Sequence, residues 1–70
     1  MNEFVLSEII ENIMDLLKEY EGRDKADLSQ EEVGRVFAYA ECLQIIHDDI
    51  PEGIRKRVGI DFDIEKRYLY

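Results

Sequence analysis

Between Glu3 and Glu21 the apolar residues Phe4, Val5, Leu6, Ile9, Ile10, Ile13, Met14, Leu16, Leu17 and Tyr20 recur with helical spacing. They sweep an arc of roughly 180°, where a helix that covers a single neighbour needs only about 100°. Glu8, Glu11, Asp15, Lys18 and Glu19 fill the opposite side. A helix patterned this way needs at least two packing partners, which restricts how 70 residues can be arranged.

A second helix has the clearest start signal in the chain. Ser29 followed three residues later by Glu32 has the spacing of a capping box, and Leu28 before the cap can pack on Val33. Its body is predicted from Gln30 to Asp48. Val33, Val36, Phe37, Tyr39, Ala40, Leu43, Ile46 and Ile50 form one broad arc, while Ala38, Cys42 and Ile45 lie on the other side. This helix is therefore apolar almost all round. Gly22 offers a left-handed stop for the first helix, predicted over 3–21, and the polar link 23–28 is short enough to make the two helices antiparallel neighbours.

Beyond Ile50, Pro51 suits the first position of a short helix over 51–58, and Gly59 would end it. The segment Ile60-Asp61-Phe62-Asp63-Ile64-Glu65 alternates as a strand does, yet Asp61 or Asp63 can cap a last helical turn through Tyr70. A lone strand has no partner in the chain, so the helical reading is preferred for 60–70. The expectation is one all-α domain: an antiparallel two-helix hairpin plus a short C-terminal helical segment. Two copies would dimerise into a four-helix bundle to cover the remaining apolar surface.

Small size supports that expectation. A chain this short buries only about 60% of the surface its unfolded form exposes, so its core is marginal. The single cysteine, Cys42, rules out an intrachain disulfide, and no Cys/His cluster offers a structural zinc. Oligomerisation is the remaining common remedy. No apolar run approaches the roughly 20 residues of a membrane span, and the Met-Asn-Glu-Phe start lacks the pattern of a signal peptide. A lone thiol without an export signal suits a reducing cytoplasm.

Charge narrows the partners. Residues 1–54 carry fourteen acids against four bases, and residues 55–70 three acids against five bases, giving the net charge of −8. An acidic body repels nucleic acid and membrane phosphates, which leaves only the Arg55-Lys56-Arg57 cluster as a cationic contact. The commoner use of such a cluster is a solvated helix end.

The residues that carry chemistry are sparse. His47 is the one imidazole and falls in the apolar arc of the second helix, where a hydrogen-bonded interface histidine is the ordinary reading. The pair His47-Asp48 resembles the signature of the HD-type metal-dependent phosphohydrolases, whose second histidine and further ligands this chain lacks. Cys42 and His47 stand about 140° apart on one helix, so a thiolate–imidazole pair would need two subunits. The run Glu8-x-x-Glu11-x-x-x-Asp15 resembles half of the metal site of the all-α nucleotide pyrophosphohydrolases. That family's second helix supplies a Glu-x-x-Asp, whereas Glu41 and Asp48 here are seven apart and the other half is missing. Gln44-x-x-His47 has glutamine where di-iron bundles require glutamate. Tyr39, Tyr68 and Tyr70 either form an aromatic contact surface or edge the core with their hydroxyls in water.

The sequence therefore favours a non-enzymatic helical interaction module without cofactor or metal, homodimeric and addressing a further protein partner. Val36, Phe37, Ala40, Leu43 and His47 are expected near the subunit or helix-packing centre. The alternative is an acidic regulator of a nucleic-acid-acting protein, of the antitoxin, anti-repressor or phosphate-mimic type. The third is a metal-dependent nucleotide hydrolase assembled at a dimer interface.

Overall fold

The computed structural model describes residues 2–69 as four α-helices and a short 3₁₀ turn, with no strand among them. Helix α1 spans Glu3–Lys18, the 3₁₀ turn Lys25–Asp27, α2 Gln30–Asp49, α3 Glu52–Val58 and α4 Ile64–Tyr68. The two long helices pack on each other, α3 packs on α1, and α4 packs on α2.

Local chemistry accounts for the boundaries. Asn2 accepts the Val5 N–H at 2.9 Å and opens α1. The helix ends at Lys18, three residues short of the expected Glu21, because the next turn tightens. Tyr20 N–H donates to the Leu17 carbonyl and Glu21 N–H to that of Lys18, both i to i−3 bonds. Gly22 then takes the left-handed conformation with φ 78°. At α2 the capping box is complete: Ser29 Oγ accepts from Glu32 N–H at 3.1 Å, and Glu32 Oε1 accepts from Ser29 N–H at 3.0 Å.

Pro51 lies one place earlier than expected, at the N-cap of α3, where its carbonyl accepts the N–H groups of Ile54 and Arg55 at 3.0 Å. Gly59 ends that helix at φ 84°, and the N–H groups of Gly59 and Ile60 both reach the Arg55 carbonyl. The tail resolves in favour of helix. Asp63 caps α4 through Lys66 N–H at 3.0 Å. The alternation that read as a strand reports a bent connector entering a helix: Phe62 N–H donates to the Ile60 carbonyl at 2.9 Å, Ile60 and Ile64 are buried, and Phe62 lies half-buried beside Tyr68. The expected last turn at Tyr70 lies outside the described residues.

The core consists of Ile10, Leu17, Val36, Ala40, Leu43, Val58, Ile60, Ile64 and Tyr68, so every α-helix contributes to it. Ile60 and Ile64 are fully buried, and such side chains stabilise a fold by roughly 1.5–3 kcal/mol each. The C-terminal segment thus covers one side of the hairpin from within the same chain.

Candidate functional site

The side chains that carry chemistry do not converge. His47 is half-buried, with Nδ1 3.1 Å from Asp48 Oδ1. Asp48 also accepts from Gln44 Nε2 at 2.9 Å. The hydrogen bonds from His47 and then Gln44 hold the Asp48 carboxyl below its ordinary pKa. These three residues form a local polar chain along one turn of α2. Cys42 is exposed. Glu8, Glu11 and Asp15 are exposed on α1. Among the described residues no group of three or more His, Cys, Asp or Glu side chains is placed to hold a metal ion.

The basic cluster is an exposed helix end at Lys56 and Arg57, as expected, while Arg55 is largely buried and committed to the chain. Arg55 Nη1 donates to the His47 and Ile50 carbonyls at 3.0 Å each, closing the C-terminus of α2, and its Nε lies 3.6 Å from Asp61. Arg57 forks onto Glu3, with Nη2 at 2.6 Å and Nε at 3.1 Å and 3.2 Å, which lowers the Glu3 pKa and raises that of Arg57. Lys56 lies 3.4 Å from Glu52.

A cleft of about 330 Å³ opens between the 19–28 connection and α4. Its cations are engaged internally: Arg23 with Glu32 at 3.2 Å, Arg67 with Glu21 at 3.6 Å, and Lys25 Nζ with the Leu69 carbonyl. Arg67 also lies over the Phe62 ring at 4.7 Å. This cleft is a seam through which the C-terminal helix is fastened.

Of the expected interface set, Val36, Ala40 and Leu43 are buried in the chain's own core, His47 is half-buried, and Phe37 is exposed. Phe4, counted in the apolar arc of α1, instead projects between Glu11 and Asp15 at 100° per residue and is 72% exposed, and further apolar surface is left uncovered on both long helices. Ile10 and Met14 line the crevice between α1 and α3 with Val58 and Gly59, so α3 sits on that side of α1. Val5, Ile9 and Leu16 point about 100–180° away from that side at 100° per residue, and they are 39%, 36% and 44% exposed. On α2, Val36 and Ala40 are buried, and Val36 lines a cleft with Tyr68 of α4. Ile45 points about 180° from Val36 and is 61% exposed, with exposed Ala38 and Cys42 on the same side.

Tyr20, just beyond α1, contacts Arg35 of α2, which raises the Arg35 pKa. At 100° per residue, Val5, Ile9 and Leu16 on α1 and Ala38, Cys42 and Ile45 on α2 point away from the buried sides of the two helices, and all six are exposed. We call these six the open face of the hairpin. Its α2 half was legible in the sequence as the residues outside the broad arc. The α1 half was hidden, because nothing in the sequence says which edge of a 180° arc the C-terminal segment will cover.

Acids frame this face. Glu41, Asp48 and Asp49 flank Ile45 at helical spacings of −4, +3 and +4, and Glu8 and Glu19 border the α1 side. Together α1 and α2 carry nine acids against two bases, Lys18 and Arg35. Comparison of the chain with family models, curated proteins and solved structures gives no match.

Proposed function

We propose that the protein is a non-enzymatic helical interaction module that docks another polypeptide on the open face of its hairpin. The observation that carries this reading is the cluster of exposed Val5, Ile9, Leu16 and Ile45 with Ala38 and Cys42. Contiguous exposed apolar patches rimmed by polar groups mark interaction sites, whereas scattered ones are ordinary surface. The separation of His47, Cys42 and the α1 carboxylates into unconnected places favours binding over catalysis.

The homodimer expected from the sequence is the second reading. Two hairpins stacked through their open faces would cover Leu16 and Ile45 of each copy and complete a four-helix bundle. The surplus of apolar surface on both long helices favours it.

Cys42 provides the test, because the chain's sole thiol stands on the face in question. Its alkylation rate and the solution mass are measured across a dilution series. A rate that falls as mass doubles supports self-association. A constant rate and monomer mass leave the face to a different protein. Docking on this face, by either occupant, predicts slower alkylation whenever a complex forms. A complex that leaves Cys42 fully reactive would place the interface elsewhere and overturn the reading.

A further inference from the structure

We infer that the occupant of the open face is a basic amphipathic helix of another protein, an inference that rests on the docking role proposed above. The apolar stripe of the face fixes the shape of the occupant, and its border fixes the charge. Ile45 protrudes between Glu41, Asp48 and Asp49, and Leu16 stands beside Glu19. Arg35 is the single base of α2, and it lies 3.9 Å from Glu31.

A second copy would set this acidic border against itself. Each hairpin carries nine acids and two bases on α1 and α2, and like charges placed across an interface oppose association. The bases that might relieve this repulsion belong to α3 and α4 on the far side. There Arg55, Lys56, Arg57 and Arg67 already pair with Asp61, Glu52, Glu3 and Glu21. A helix with an apolar ridge flanked by Lys or Arg meets both requirements. Its ridge would lie along the exposed apolar residues of α1 and α2, anchored at i, i+3 or i+4, and i+7, with its flanks facing the carboxylates. The 16 residues of α1 give the open face a length of about 24 Å at 1.5 Å per residue, enough for about four turns of a bound helix.

The experiment uses the full chain and three synthetic peptides of about 18 residues, long enough to span the open face. One carries a Leu ridge with Lys flanks, one the same ridge with Glu flanks, and one is a scramble of the Lys peptide without a ridge. Binding is read by peptide fluorescence anisotropy, protection of Cys42 from alkylation, and solution mass. The Lys-flanked peptide is expected to bind about tenfold or more tighter than either other peptide and to weaken as salt is raised. It should also protect Cys42.

Leu16→Gln with Ile45→Gln, which leaves the charge unchanged, should lose that binding while circular dichroism remains that of the parent. Glu41→Gln with Asp49→Asn should weaken it, and Glu11→Gln with Asp15→Asn, on the far side of α1, should weaken it less. Equal binding of the Lys and Glu peptides, or of the Lys peptide and its scramble, overturns the inference. If the protein alone doubles in mass and protects Cys42, the second copy is the occupant, so this inference fails and the docking role stands. If neither a peptide nor concentration alters Cys42 reactivity, both fail.

Discussion

Replacing Arg55 with Met keeps the apolar stem of the side chain and removes the guanidinium that joins three parts of the fold. Its Nη1 closes the end of α2 through the His47 and Ile50 carbonyls, and its Nε faces Asp61 in the connector to α4. A hydrogen bond from a charged donor contributes about 1.5–3 kcal/mol. The side chain is only 22% exposed, so little water can replace the lost donor. Two such bonds, discounted because the freed carbonyls at a helix end recover some hydration, set the expected loss at about 2–3 kcal/mol. Stability for 70 residues is roughly 3.5–10 kcal/mol in all, and each kcal/mol lost lowers Tm by about 7 °C at this chain length. Arg55→Met should therefore melt about 15–20 °C below the parent, followed by circular dichroism at 222 nm and confirmed by urea titration. Lys56→Met, whose partner Glu52 is an exposed i,i+4 neighbour, should cost at most about 0.5 kcal/mol. An Arg55→Met protein within about 0.5 kcal/mol of the parent, or matched by Lys56→Met, would refute the reading of Arg55 as the internal clasp.

Tyr68 is buried, and its hydroxyl finds no partner among the described residues, so Tyr68→Phe should leave stability unchanged or raise it by up to about 2 kcal/mol in a thermal melt. Burial also raises the Tyr68 pKa. The folded state then holds the phenol proton more tightly than the unfolded state, so the parent should lose stability above about pH 10 while Tyr68→Phe is spared that part of the loss. The Arg57 guanidinium lowers the Glu3 pKa, which makes the stabilisation from that pair full above the ordinary carboxylate pKa and lost as pH falls through the folded value. Glu3→Gln should accordingly be less stable than the parent at pH 7 by urea titration and indistinguishable from it below about pH 3; a difference that persists in acid would contradict the assignment.

Most of the helical architecture was legible because it is written in local chemistry. Ser29 and Glu32 mark the start of α2, Gly59 marks the end of α3, and the apolar spacing of 4–17 marks α1. Those signals act within a few residues, and the chain obeys them. The end of α1 was misplaced because Tyr20 and Glu21 form i to i−3 bonds, a choice between helix types that side chains barely influence. The role of Arg55 was not legible at all, since the carbonyls it binds are backbone groups in another element.

The same distinction explains the candidate site. A 180° apolar arc on α1 states that two neighbours are needed, and it does not say which. The structure supplies two of them in α2 and α3, and the arc is still not exhausted, because α3 covers the Ile10 and Met14 side and leaves Val5, Ile9 and Leu16 outside. On α2 the same subtraction leaves Ile45 opposite a core of Val36, Ala40 and Leu43. The residues singled out from the sequence as an interface are largely those with which the chain holds itself together, because the strongest apolar pattern is claimed first by the intrachain core. What remains for a partner is the weaker pattern beside it, and on this chain that remainder is bordered by carboxylates. A docking surface defined by subtraction is apolar at its centre and acidic at its border, and the proposal of a basic partner rests on those two properties together.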